Sequence, residues 1–256
     1  MKSFLSFTKK EYSEHFRTAK IFILTGVFIA FAIMSPMIAM FTPMLVEMIS
    51  ESTAQGNMEI TTGEVTAIDS WLQFIKNAPM ALIVFVLIES NIFTKEYQKG
   101  TLVLALTKGL KRHTVLFSKT FVMLTLWTAE YFMCYGLTYL INDIIWDNSV
   151  TKNLNFIAFG WWLMGVLAIC LSVLFSAIAK NNIVVLAGTG GFIFGSYLIG
   201  TLPKIGKFMP TLLMNTGSLI YGLEEASYFI PAVLITIGIS IISIIISIPV
   251  LNKKYI

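Results

Sequence analysis

The stretch TKEYQKGTLVLALTKGLKRHTVLFSK, residues 94–119, separates two long apolar runs and decides how the chain is organised. It is rich in positive charge, with six of the chain's eighteen Lys and Arg: Lys95, Lys99, Lys108, Lys111, Arg112 and Lys119. Short Lys/Arg-rich loops between membrane spans stay on the cytoplasmic side of a bilayer. Around Gly109 and after Gly100, apolar residues recur at helical spacing, which predicts a short cytoplasmic helix with one apolar face. These residues are Leu102, Val103, Leu106 and Leu110. Such a face predicts a protein partner.

The composition is that of a polytopic membrane protein. Of the 256 residues, 56% are hydrophobic and 12% are charged, and the mean hydropathy is +0.79, values far from those of an average soluble domain. Crossing a hydrocarbon core of about 30 Å takes roughly 20 helical residues. We therefore expect an all-α membrane protein, a single domain over residues 1–256, whose six transmembrane helices are residues 21–45, 71–93, 120–141, 154–179, 183–202 and 229–250.

The distribution of charge predicts the orientation. Fourteen of the eighteen Lys and Arg fall in the amino-terminal segment, residues 94–119, Lys180 and the carboxyl tail, whereas the opposite segments hold four. Because Lys and Arg are retained inside, both termini should be cytoplasmic. The net charge of +4 and the pI near 9.0 then reflect membrane topology and contact with membrane lipids, with no nucleic-acid partner implied.

The sequence carries no recognisable catalytic or metal-binding motif. Cys134 and Cys170 lie in predicted spans without a second Cys or a His at ligand spacing. His15 and His113 fall in basic segments, and we expect both to be solvated or to face lipid headgroups. The sequence contains no phosphate-binding loop, nucleophile elbow or zinc-protease motif. We therefore expect a protein that is not an enzyme and holds no cofactor of its own.

Two motifs in the central loop resemble those of ABC-2 type permeases, the transmembrane subunits of bacterial type V ABC exporters. Residues 96–102, EYQKGTL, are similar to E-x-x-x-G-T-L, and residues 106–112, LTKGLKR, are similar to L-T-x-G/P-x-x-R. The resemblance covers most of the chain. Further stretches that resemble the low-GC Gram-positive branch of that family are residues 7–20, 35–36, 69–74 and 203–210.

The resemblance implies a function and a set of partners. Two copies of a separate ATPase subunit, which binds ATP and Mg, would drive export of amphipathic or hydrophobic substrates such as peptides, lipids or drugs. A second copy of this permease, or a similar permease, would meet this one through the first and fifth spans, where Gly191 and Gly195 have small-xxx-small spacing. The residues expected to couple to the ATPase are Glu96, Gly100, Thr101, Leu102, Leu106 and Arg112.

Segments outside the spans carry patterns of their own. Residues 1–20 place apolar residues at helical intervals among charged ones, which predicts a helix lying flat in the headgroup layer; the resemblance implies that it also helps to receive the ATPase. Residues 46–70 predict a solvated external loop in which Asp69 caps the second span. Residues 203–227 are too apolar for a plain loop and too interrupted by Pro for a span, so we expect a re-entrant pair of short external helices.

Features inside the spans have both structural and functional interpretations. Five methionines lie on one face of the first span: Met34, Met37, Met40, Met44 and Met48. Their side chains either fill gaps in the packing or form a pliable lining for variable substrates. A copper site is disfavoured there because no Cys or His accompanies them. Glu130, near mid-bilayer, is either hydrogen-bonded in the bundle or meets a cationic group in the transport path. We place that path along Met37, Met40, Met44 and Glu130.

Two further sets of polar residues in the spans favour structural roles. Glu89 lies close to the cytoplasmic end of the second span, where we expect it to pair with Lys95 or Lys99. The sixth span carries a polar stripe, which predicts hydroxyls bonded to backbone or to a neighbouring helix: Thr236, Ser240, Ser243 and Ser247.

A second functional class stays open beside the ABC permease, namely a secondary transporter or a non-transporting membrane immunity protein. A secondary transporter of this size more often shows internal repeats and broken midplane helices with ion ligands. The first three spans do not visibly repeat in the last three. An ATPase with a phosphate-binding loop in the adjacent reading frame would discriminate between the classes.

Overall fold

The chain is helical throughout the part that its structure, a computed structural model, describes: residues 2–52, 64–98, 100, 107 and 109–253. Within these residues there is no β-strand. The α-helices are α1 Lys2–Arg17, α2 Lys20–Ser52, α3 Ala67–Glu89, α4 Asn91–Gln98, α5 Arg112–Ile145, α6 Leu154–Ile178, α7 Asn182–Gly200, α8 Gly217–Tyr221 and α9 Ile230–Lys253. Short 3-10 turns cover Asn148–Val150, Gly206–Phe208, Pro210–Met214 and Ala226–Phe229.

Five helical segments are long and apolar enough to cross a membrane. They are Lys20–Met48, Ala67–Gln98, Leu154–Ile178, Asn182–Gly200 and Ala226–Lys253. The expectation of an all-helical chain with several apolar spans is therefore confirmed at this coarser level. The remaining long helix, α5, has 34 residues and is more polar, because Thr, Tyr and Glu130 interrupt its apolar residues. The third of the six predicted spans thus stays a prediction.

Local signals in the sequence explain where the helices begin and end. Thr66 is the N-cap of α3, and its backbone N–H donates at 2.9 Å to the carboxylate of Asp69, the third residue of the helix. Asp69 thus caps α3 from within its first turn, and the helix begins at Ala67, before the predicted start of the span at residue 71. The Asn181 side chain accepts from the N–H of Ile183 at 3.0 Å and starts α7. Ala19 separates α1 from α2 in a left-handed conformation with φ of 55°, which costs an L-residue about 1–2 kcal/mol.

The bundle is built around α6, which packs against α5, α7 and α9, while α2 packs against α3 and α5. Of the most apolar part of α6, 78% is buried inside the protomer, against 17% for α7. Gly165 of α6 is needed for this packing, because a Cβ there would collide with the Trp127 indole. The core therefore lies between α3, α5 and α6, and α7 presents most of its surface outward.

Both described ends of the chain lie beside the start of α5. The Ser118 hydroxyl donates to the carbonyl of Phe4 at 3.4 Å, and Arg112 bonds the carbonyl of Leu251 near the end of α9. The two termini thus share one end of the bundle, which we call the base. Short helical turns fill residues 206–229 and bury Leu213, Leu219 and Ile220 against the spans.

Candidate functional site

A cluster of ionisable side chains lies at the base of the bundle, buried at its centre and partly exposed at Lys10, Glu14 and Lys95, and we call it the ionic cluster. It joins α1, the start of α2, the end of α3, α4 and α5. Its members are Lys10, Glu11, Glu14, His15, Lys20, Glu89, Lys95, Glu96 and Lys119. Long charged residues are rarely buried unless they are paired, so the partners of each charge decide what this site can do.

Lys119 is the centre of the ionic cluster. Lys119 is only 1% exposed. Its Nζ donates to Glu11 Oε2 at 2.8 Å and to the carbonyl of Ile92 at 3.0 Å. Glu96 Oε2 lies 3.2 Å away. An ammonium has three donors, and here three acceptors surround it, one from α1 and two from α4. One side chain of α5 therefore ties both α1 and α4 to α5.

Lys10 supplies the second bridge between α1 and α4. Its Nζ donates to Glu96 Oε1 at 2.7 Å and to Glu11 Oε1 at 3.0 Å. Partial burial lowers the pKa of Lys10, but the hydrogen bonds and charges of Glu96 and Glu11 raise it more, so the net pKa is raised. Both oxygens of Glu96 are thus engaged inside this chain. A basic group of a partner would compete with Lys10 and Lys119 for them.

His15 and Glu89 form a buried pair beside Lys119. The His15 Nε2 lies 2.8 Å from Glu89 Oε2, and its Nδ1 lies 2.8 Å from the carbonyl oxygen of Glu11. A carbonyl only accepts, and an ionised carboxylate only accepts, so both ring nitrogens donate and the imidazolium is favoured. Burial lowers the pKa of His15, but Glu89 raises it more, and the net pKa is raised. His15 is 2% exposed, so the expectation of a solvated or headgroup-facing side chain was wrong.

The prediction that Glu89 pairs with Lys95 was wrong. Instead of Lys95, the structure gives it His15 and, at 3.6 Å, the Nζ of Lys20. Lys95 reaches Glu14 at 3.4 Å, and Lys99 lies outside the described residues. Lys20 also donates to the carbonyl of Ile88 at 2.9 Å, so α2 enters the bundle tied to the end of α3.

A polar pocket of about 270 Å³ lies among these side chains, between α1 and α4. Carboxylate oxygens of Glu11, Glu14 and Glu96 lie within 4.8 Å of one another, a spacing that suits a cation. The ammonium groups of Lys10 and Lys119 already bond two of these carboxylates. The arrangement is therefore an ion-pair network whose cations are lysines.

The coupling residues predicted from the central loop fall in different places. Thr101, Leu102 and Leu106 lie outside the described residues. Gly100 has φ of 67° and Gly109 has φ of 86°, conformations that glycine adopts without the strain of a side chain. Arg112 turns toward α9, where its Nη1 donates to the carbonyls of Leu251 at 2.8 Å and Asn252 at 3.1 Å.

The methionine face and Glu130 are not brought together. Met37, Met40 and Met44 are about half exposed on the outside of the protomer. Glu130 is only 5% exposed and accepts from the Thr25 hydroxyl at 2.7 Å. Thr25 and Met37 are twelve residues apart on α2, or about 18 Å along a helix axis. The predicted path therefore consists of two separate stretches within one protomer.

The outer surface of α7 is open. Gly191 and Gly195 have no atom within 4 Å of a Cβ built on them, so nothing in the described part of this protomer covers them. Beside them an apolar groove of about 510 Å³ runs between α3 and α7.

On α9, Thr236, Ser240 and Ser247 donate to carbonyls one turn back along the same helix, which confirms back-bonded hydroxyls in the polar stripe.

Comparison with protein-family models and with curated proteins finds no match for this chain. The site is therefore argued from its own residues. Sequence reasoning missed Glu11 and Lys119 as its centre. A signal existed for α1, because Phe7, Glu11 and His15 share one helical face at i, i+4 spacing.

Proposed function

We propose that this chain is the transmembrane permease subunit of an ATP-driven ABC exporter. The observation that carries the proposal is the ionic cluster, which joins α1, α4 and α5 around the segment that leads into the central basic loop. A membrane subunit without an ATPase motif of its own must receive motion from another protein through its cytoplasmic surface. The basic loop, residues 94–119, is suited to receive such motion, because the ionic cluster at its start joins α1, α4 and α5. The motifs at residues 96–102 and 106–112 support the same function.

We propose that α5 also crosses the membrane, as the third of six spans along the chain. Its polar residues are turned inward, since Lys119, Glu130 and Asn142 are buried. The outward residues are large and apolar: Phe117, Phe121, Phe132, Tyr139 and Leu140. A helix with polar groups inside and apolar groups outside suits a lipid surround. With six spans and the basic base on the inside, both termini are cytoplasmic in a bacterial plasma membrane.

Transmission begins where an ATPase subunit, in two copies per complex, contacts the central loop. Movement at the start of the basic loop shifts Glu96, which Lys10 links to α1 and Lys119 links to α5. Buried ion pairs resist rearrangement because an unpaired buried charge is costly. The interfacial helix α1 and the span α5 would therefore move together with α4 as the ATPase closes.

The substrates would be amphipathic or hydrophobic molecules such as peptides, lipids or drugs. A homodimer, or a pair with a similar permease, would join through α2 and α7, whose apolar faces are open. Gly191 and Gly195 would permit close approach of the partner helix. The outward methionines of α2 would then line a path between the two protomers, and repack around differently shaped substrates.

The test is reconstitution with an ATP-binding subunit that carries a phosphate-binding loop, sought first in the adjacent reading frame. We expect the two proteins to co-purify from detergent, and proteoliposomes to show ATP hydrolysis and ATP-dependent movement of a fluorescent amphipathic peptide. The control is the same ATPase without the permease. Substrate flux driven by an ion gradient without ATP, from the purified chain alone, would instead assign the protein to the secondary transporters.

A further inference from the structure

The contact between Arg112 and the end of α9 lies outside the ionic cluster. Arg112 Nη1 donates to the carbonyl oxygens of both Leu251, at 2.8 Å, and Asn252, at 3.1 Å. Helix α9 is described as far as Lys253, so these carbonyls belong to the last turn that the structure describes. The carboxyl end of a helix carries the negative end of its dipole. The guanidinium therefore binds the carboxyl-terminal part of α9 from another element.

The position of Arg112 in its own helix makes this contact more informative. Arg112 is the first residue of α5, after the N-cap Lys111. A cation in the first turn of a helix is unfavourable, because the positive end of the dipole lies there. The same charge is favourable at the last turn of α9. The positive charge of Arg112 thus interacts favourably with the dipole of α9 and unfavourably with the dipole of α5, its own helix.

Three hydroxyls of α9 are engaged within the helix. Those of Thr236, Ser240 and Ser247 donate to carbonyls of α9 itself. The Leu251 side chain is buried against the bundle, so packing holds the last described turn laterally. The Arg112 bond adds a directional tie between the start of α5 and the last span.

We propose that Arg112 is a positioning residue that ties the last span, α9, to the start of α5, within the basic loop. The ionic cluster joins Glu96, near the beginning of that loop, to α1 and α5, and Arg112 joins the start of α5 to α9. Movement of the loop then displaces the base of α9 as well as α5. This role rests on the proposed function, because it requires a partner that moves the loop.

The tie itself is tested in the whole purified protein by hydrogen–deuterium exchange of a peptide that covers the last turns of α9. Arg112→Gln should raise exchange there roughly fivefold, since a charge-assisted bond and a dipole interaction are both lost. Arg112→Lys, which keeps the charge and one donor, should give a smaller increase. The matched control is Lys111→Gln at the exposed neighbouring position, which should leave the exchange unchanged. Equal exchange in wild type and Arg112→Gln would overturn the tie.

The positioning role is tested in proteoliposomes that contain the ATPase subunit. Arg112→Gln should lower the amount of substrate exported per ATP hydrolysed by about threefold, with Arg112→Lys intermediate and Lys111→Gln unchanged. Unchanged export per ATP, together with raised exchange in α9, would show a purely structural tie and overturn the role. Absence of ATP-dependent export in the wild type would overturn the proposed function and the role with it, while the exchange measurement would still decide the tie.

Discussion

Replacing Lys119 with Met removes the central charge of the ionic cluster and keeps the length of the side chain. Lys119 and Glu11 are each only 1% exposed, and their charged atoms lie 2.8 Å apart. Breaking a buried pair by removing one partner costs about 3–5 kcal/mol. Lys10 still reaches both Glu11 and Glu96, so we expect the lower end, about 3 kcal/mol. With roughly 2–4 °C per kcal/mol for a chain of this size class, the melting temperature should fall by about 6–12 °C.

The assay is thermal unfolding in lipid nanodiscs, followed through tryptophan fluorescence. Lys95→Met is the matched control, because the Lys95 side chain is 36% exposed and has one ion pair at 3.4 Å. Surface pairs contribute about 0–1 kcal/mol, so this control should shift the melting temperature little. Glu11→Gln and the double variant complete a thermodynamic cycle. The double variant should lose less stability than the sum of the single variants, because no buried charge is left uncompensated.

Equal and small shifts for Lys119→Met and Lys95→Met would refute the reasoning. They would mean that water reaches Lys119 and that the ionic cluster holds no element in place. An additive cycle would refute it in a second way, because it would show that Lys119 and Glu11 do not interact. In either case the proposed transmission through α1, α4 and α5 would lose its physical basis.

Four further outcomes are expected. The pKa of His15 is raised, so its contribution to stability is full below pH about 6.5 and is lost as the pH rises through the elevated pKa. His15→Gln should therefore make the melting temperature less dependent on pH across that range. An unchanged pH dependence of the melting temperature would contradict the pair with Glu89. Ala19→Gly should raise stability by about 0.5–1 kcal/mol, because Gly accepts the left-handed φ, and a lower melting temperature would contradict this. Glu130→Gln should weaken export of cationic substrates and spare neutral ones in an export panel; equal effects on both would make Glu130 structural. Gly195→Cys should form crosslinks between protomers in membranes, and crosslinks confined to one chain would place the dimer interface elsewhere.

The sequence predicted the helical class of the protein well, because the signals for it are local. Apolar runs of about 20 residues report directly on membrane crossing, and five of the six predicted spans overlap segments with the length and hydropathy to cross a membrane. The cap at Asp69 and the back-bonded hydroxyls of α9 also depend on residues three or four positions apart. Such contacts follow from helix geometry alone.

The amino-terminal helix shows where local reasoning ends. Its apolar residues predicted a helix lying in the headgroup layer, and a helix is present. The polar residues Glu11 and His15 on its buried face looked like solvated charges, because the charged partners that bury them are distant in sequence. Their partners, Lys119 and Glu89, are 108 and 74 residues away.

The sequence by itself determined the helical class, the apolar segments and the grouping of positive charge along the chain, because hydrophobicity and charge act on each segment separately. Only the tertiary structure decided which charges meet. Pairing between Lys119, Glu11 and Glu96 depends on the rotation and depth of three helices packed together, and a rotation of one residue, about 100°, would turn any of these side chains away. The same packing turned Arg112 from its own helix toward α9.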